Sequence, residues 1–176
     1  VGLGVALFPL RERQFRLLLL GRVASGVGDA LVPVALAFAV LSVHDSYTAV
    51  GGVLAAFTIA RVSLTLVGGV VADRLPRRAV MLTCDLVRGV VQAFTAVMLL
   101  AGQMTLPLFF VAMVLFGAAS AFFLPASDGV VQQTVSRANL QSANALLSTS
   151  RGALNVFGPV VSGTLIAAVG TGWVFG

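Results

Sequence analysis

Gly68-Gly69-Val70-Val71-Ala72-Asp73-Arg74-Leu75-Pro76-Arg77-Arg78 is a compact charged turn between two long apolar runs. The glycine pair is read as closing one helix, and Pro76, with no N–H and a fixed φ, keeps the turn tight. Asp73, Arg74, Arg77 and Arg78 would hold both helix ends in water. On either side lie Tyr47–Val71 and Ala79–Ala101, and further out lie Leu17–Val43, Thr105–Pro125 and Ala138–Gly170. Each reaches the roughly 20 mostly apolar residues that a helix needs to cross a bilayer, and the last is long enough to tilt or protrude. After Gly170 the chain turns through Thr171 and Gly172 into Trp173-Val174-Phe175-Gly176, the opening of another apolar run. The expected architecture is therefore all-α and integral to the membrane. Residues 1–170 form one bundle of five transmembrane helices, and 171–176 begin a sixth. Because Val1 is not an initiator Met, both ends are expected to belong to a fragment.

Composition points the same way. Of 176 residues, 59% are hydrophobic and 10% charged, with a mean hydropathy of +1.04, whereas a soluble domain has about a quarter of its residues charged. All 11 basic residues are Arg, set in short clusters between apolar runs and not interleaved with aromatics. That pattern marks membrane topology rather than nucleic-acid binding. One Cys, Cys84, and one His, His44, leave no disulfide framework and no expected metal site or cofactor. With one His and one Glu, an integral-membrane enzyme has little to work with.

The connections alternate in charge. Arg11, Arg13 and Arg16, then Arg74, Arg77 and Arg78, then Arg137 fall on one side of the spans, while the connections at His44–Asp45 and Gly102–Met104 carry no Arg. Cytoplasmic loops are the Arg-rich ones, so the amino terminus is expected inside, the protein in the inner (cytoplasmic) membrane, and Trp173 near the outer interface.

Six ionisable residues lie within the apolar runs: Arg22, Asp29, Arg61, Asp85, Arg88 and Arg151. An ionisable group at mid-bilayer costs at least about 2.5–3.5 kcal/mol, so each needs a partner, water or a task. At about 1.5 Å per residue, Asp29, Arg61 and Arg151 each fall about 18–20 Å from the Arg-rich end, near the midplane. Arg22, Ser25 and Asp29 share one helix face, as do Asn144, Ser148, Arg151, Asn155 and Ser162. One-sided polarity faces a cavity or a tightly packed neighbour. The cavity reading makes Asp29 the candidate proton carrier, tuned by Arg22 or Arg61, and Arg22, Arg61, Arg151 and Asn155 candidate substrate contacts. Asp85 and Arg88, three apart, are read as neutralising each other on one helix. Four Arg against two Asp in this inventory favour an anionic or polyphenolic substrate. Gly21, Gly26 and Gly28, Gly68 and Gly69, and Gly117 to Ala121 are read as close-packing positions.

Gly69 to Arg78 resembles the signature loop of the major facilitator superfamily, G-x-x-x-D-R-x-x-R-R, in the position that family carries it, between spans 2 and 3. Pro76 stands where the family often has Gly. The resemblance implies the amino-terminal half of a major facilitator fold, with spans 1, 2, 4 and 5 around a central cavity. It also implies a cytoplasmic gate made by Gly69, Asp73, Arg74, Arg77, Arg78 and Asp128. In that gate Asp73 faces a helix of the carboxy-terminal half of the same transporter and pairs with Arg77, which also meets Asp128. Gly158-Pro159-Val160-Val161-Ser162-Gly163 is similar to the G-P-x-x-G-G core of drug:proton antiporters, with Ser162 for one Gly and Leu154 in place of an upstream Gly. Arg61, the Arg77–Met81 stretch with Asp85 and Arg88, Ala121–Ala126 and Leu140–Leu146 together look like the enterobactin-exporter and macrolide-efflux branch.

The resemblance implies a non-enzymatic secondary transporter in the lipid bilayer that exports a small amphipathic molecule, a siderophore, antibiotic or other drug-like compound, against protons by alternating access. No nucleotide-binding loop is present to drive it otherwise. The competing expectation is a non-transporting sensor or scaffold derived from a transporter half.

Overall fold

A computed structural model describes Pro9 and residues 12–169. Arg11 of the first basic cluster and the expected opening of a sixth span at 171–176, with Trp173, lie outside the described residues. The chain folds as α1 (Arg13–His44), α2 (Tyr47–Arg74), α3 (Arg77–Leu100), α4 (Leu106–Thr134), a 3-10 turn (Arg137–Asn139) and α5 (Leu140–Val169). By length and composition, α1 to α4 are able to cross a membrane. α5, at the place of the fifth expected span, turns Val156, Phe157, Val160, Val161 and Leu165 outward. Exposure of 83% at Leu66, 71% at Leu82 and 64% at Phe157 would be costly in water at about 25 cal/mol per Å² of apolar surface. Lipid makes it neutral.

Two boundaries differ from the sequence expectation. The helices do not stop at Val71 and restart at Ala79; they run to Arg74 and from Arg77, so only Leu75 and Pro76 interrupt them. Charge does not end a helix, whereas Pro forces its predecessor out of the α region. Leu75 accordingly sits at φ −109°, ψ 157°. Asp73, Arg74, Arg77 and Arg78 are therefore helical residues facing each other across a two-residue break, and not a loop. Likewise α4 does not end at Pro125 but carries it inside and continues to Thr134, which makes Asp128 intrahelical. Pro125 cannot donate to the carbonyl of Ala121, and that oxygen turns toward α2, where a Cβ on Gly68 would stand 2.6 Å from it.

At the opposite end the turns are as short. Asp45 takes the left-handed conformation, φ 42°, and sends its N–H to the Leu41 carbonyl. The Ser46 hydroxyl then accepts from the N–H of Ala49 to cap α2. Gly102, at φ +66°, closes α3 in the backbone conformation that glycine adopts without strain. His44 Nε2 accepts from the Leu106 N–H at 3.1 Å, which caps α4 from the end of α1.

α4 is the central helix, packed along α2 and α3, while α5 lies mainly against α1. The largest apolar cluster, at the His44 end, joins Leu36, Val40, Val53, Val91, Phe109, Met113 and Phe116. A second, at the Arg-rich end, joins Ala72, Val80, Cys84, Ala119, Phe123 and Ala126. A third ties Phe15 of α1 to Val131, Val135, Ala143 and Leu147. Small residues set the close approaches, with Gly117 against the Phe57 carbonyl, Gly26 against Leu154 and Gly158 against Ala30. Gly21 and Gly69 have open space where a Cβ would go.

Candidate functional site

The polar faces of α1 and α5 meet around a cavity of about 360 Å³ lined by all five helices. Arg22, Asp29, Arg61, Arg151 and Asn155, singled out in the sequence for their depth and face, all line it. So do Phe57, Phe116 and Phe123, which make one wall aromatic, and Ser120 and Ser150. α3 contributes Arg88 alone.

Two ionic groups are built into this region. In the first, Arg88 donates to Asp29 at 2.5 Å and also pairs with Asp85 on its own helix. Asp85 Oδ1 accepts in addition from the Ser25 hydroxyl at 3.2 Å. The Arg88 side chain is 5% exposed, and its guanidinium lies 4.4 Å over the Phe123 ring, a cation–π contact that offsets part of its desolvation. Two carboxylates thus share one guanidinium. In the second group the count is reversed. Asp128 Oδ1 accepts from Arg22 at 2.7 Å and from Arg151 at 3.0 Å, while Arg22 also donates to the Ser127 hydroxyl. Two guanidiniums share one carboxylate.

Both arrangements correct the sequence expectation. Asp29 is held directly by Arg88, while Arg61, expected to tune it, makes no direct ion pair with it but acts on it through space. Arg88 is more than a neutraliser of Asp85, because it joins α3 to α1. The signal was present in the sequence: Val80, Cys84, Arg88, Val91 and Thr95 repeat at helical spacing, and all five are buried, so Arg88 sits on the inward face of α3. Asp128 does not ion-pair with Arg77. It points to the cavity side of α4, and Arg77 lies instead against the neighbouring Gly129, where a Cβ would collide with its guanidinium.

Of the remaining gate candidates, Asp73 and Arg77 stand 3.5 Å apart across the Leu75–Pro76 break. Arg74 and Arg78 are exposed. In α5, Pro159 lines the cavity, Gly158 meets Ala30, and Gly163 has open space around its missing side chain. Ser162, where a glycine was the pattern, is fully buried and donates to the Leu31 carbonyl at 3.0 Å. It fastens α5 to α1 beside Pro33, in the middle of α1.

A family described as transmembrane secretion effector matches residues 4–176. Among curated proteins, the chain is similar to two uncharacterized MFS-type transporters of Bacillus subtilis (strain 168). YfiS is 28% identical over 170 residues, covering 95% of this chain and 40% of that protein. YkuC is 27% identical over 163 residues, covering 91% and 37%. The chain therefore spans about two fifths of the length of these relatives. No solved structure matches it significantly.

Proposed function

The chain belongs to the transmembrane secretion effector family of the major facilitator superfamily, and from that premise we propose that it forms the amino-terminal part of a proton-coupled exporter of small amphipathic molecules. The proposed setting is the inner membrane with the amino terminus cytoplasmic, and the proposed branch is that of enterobactin and macrolide exporters. The observation that carries the reading is the division of charge around the cavity. Asp29 and Asp85 share Arg88, so this group holds one negative charge in excess. Arg22 and Arg151 share Asp128, so that group holds one positive charge in excess.

The negative group is the proposed proton site. Asp85 keeps its charge with the Ser25 hydroxyl and Arg88, while Asp29 accepts from Arg88 alone, so protonating Asp29 breaks the fewest contacts. A neutral Asp29 loosens the α1–α3 link that its ion pair with Arg88 makes. That gives the two states which a proton can bias and alternating access requires. The Asp73–Arg77 contact at the Arg-rich end is the proposed gate, closed against the carboxy-terminal half of the transporter. Substrate enters between the Phe wall and the polar face of α5, with Arg151 and Asn155 as contacts.

The test is Asp29→Asn in proteoliposomes of the intact protein, with a pH-sensitive dye inside and an amphipathic fluorophore outside. Wild type should couple fluorophore movement to proton movement, and Asp29→Asn should bind fluorophore without moving protons. Undiminished proton movement in Asp29→Asn would refute the assignment of Asp29.

A further inference from the structure

We propose that the cavity selects amphipathic monoanions and that Arg61 is the residue that holds their acid group; this deepens the exporter reading above and rests on it. Four guanidiniums line the cavity, those of Arg22, Arg61, Arg88 and Arg151. Three are compensated: Arg22 and Arg151 by Asp128, Arg88 by Asp29 and Asp85. Arg61 makes no ion pair and no side-chain hydrogen bond among the described residues. Its backbone carbonyl accepts from Thr65, but its guanidinium has no acceptor. Arg61 is exposed on the open side of the helices, and at the mid-span position that the sequence gives it a guanidinium is expensive without a counter-charge.

The charges of the site set the valence of that counter-charge. Arg22, Arg61, Arg88 and Arg151 face Asp29, Asp85 and Asp128, which leaves one positive charge over. A monoanion brings these seven groups to neutrality, a dianion overshoots, and a cation adds to the surplus. The planar fork of Arg suits a carboxylate, sulfonate or phosphate monoester through two parallel hydrogen bonds.

The position of Arg61 sets the rest of the ligand. Phe57 precedes it by one turn on the same face of α2 and makes a tilted pair with Phe116, ring centroids 6.0 Å apart. Both rings line the cavity. An acid group on Arg61 therefore lays an apolar or aromatic body along Phe57 and Phe116. A volume of about 360 Å³ on this chain's side of the cavity is enough for a compact amphiphile.

The experiment compares two probes that differ only in charge, dansyl-leucine and its neutral amide dansyl-leucinamide, binding to the intact protein in detergent by fluorescence. Wild type should bind the anion at least about tenfold tighter, the gain expected from one charge-assisted contact. Arg61→Gln should bring the two within about twofold while still binding the neutral probe, which shows that its cavity is intact. Arg61→Lys, which restores the charge, should restore the preference. Equal binding of the two probes by wild type, a preference that survives in Arg61→Gln, or binding of neither probe would each overturn the proposal. Proton-driven movement of dansyl-leucinamide that depends on Asp29, with no preference for the anion, would overturn it and leave the exporter reading standing. A preference that depends on Arg61, in a protein that moves neither probe with protons, would support the anion site and overturn the exporter.

Discussion

Gly68 and Gly69 are neighbours on α2, and the structure gives them opposite sensitivities. A Cβ on Gly68 would stand 2.6 Å from the Ala121 carbonyl oxygen and 3.1 Å from the Phe122 Cα, both backbone atoms of α4. Ordinary contact begins near 3.4 Å, so Gly68→Ala must open the α2–α4 packing by about 0.8 Å against neighbours that cannot rotate away. Overpacking of this kind costs about 1–3 kcal/mol. Gly69 meets nothing within 4 Å, and replacing a helical glycine by alanine there gains up to about 1 kcal/mol of helix propensity. At about 2–4 °C per kcal/mol for a chain of this size, Gly68→Ala should lower Tm by about 2–12 °C, and Gly69→Ala should leave it unchanged or raise it by a few degrees. Cys84, the chain's single cysteine, supplies the assay, since it is buried in the α2–α3–α4 cluster that Gly68 adjoins. A fluorogenic thiol reagent reports its exposure as the detergent-solubilised protein is heated. If Gly68→Ala proves as benign as Gly69→Ala, the close approach of α2 to the Ala121 carbonyl is refuted.

Asp128→Asn removes the charge that Arg22 and Arg151 share. Because the carboxylate is 60% exposed, the loss should be about 1–2 kcal/mol, discounted from the fuller value of a buried charged pair. A double-mutant cycle on Tm should show Asp128 coupled to Arg22 by about 1 kcal/mol and to Arg77 by less than about 0.5 kcal/mol. The reverse ranking would restore Asp128 to the gate. His44→Ala deletes the acceptor for the Leu106 N–H and should cost about 1 kcal/mol, as lost helix caps do. His44→Gln, whose amide oxygen can accept the same bond, should lose less, and equal losses for the two variants would argue that His44 acts by packing alone.

The helices were legible in the sequence because apolar length is a local property; of the one-sided polar faces, Arg22, Asp29, Arg151 and Asn155 line the cavity, whereas Asn144 and Ser148 are exposed and do not. What the sequence hid was pairing. Asp85 and Arg88 were matched because positions three apart are all that a single helix displays, whereas the bond from Arg88 to Asp29 joins residues 59 positions apart and that from Arg22 to Asp128 joins residues 106 apart. The helix ends were hidden for a different reason. Charged side chains look like loop, yet a helix tolerates them at its ends, and of the two prolines flanking this region only Pro76 breaks the chain. Pro125 is absorbed inside α4, at the cost of the hydrogen bond that its missing N–H would give the Ala121 carbonyl, and that carbonyl lies where Gly68 leaves room for it.

That absorption has a consequence for how the cavity and the Arg-rich end communicate. Had α4 ended at Pro125, Asp128 would lie in a connection free to reach Arg77. As a helix, residues 127–129 present three different faces. Ser127 and Asp128 turn toward Arg22 and Arg151 at the cavity, and Gly129 turns toward Arg77. One turn of α4 is thus gripped from the cavity by two arginines and overlain from the start of α3 by a third. Removing the charge of Asp128 frees the first grip without touching the second. In the proposed exporter, coupling between the two ends passes through displacement of that turn and not through an ion pair between Asp128 and Arg77, which is the distinction the double-mutant cycle measures.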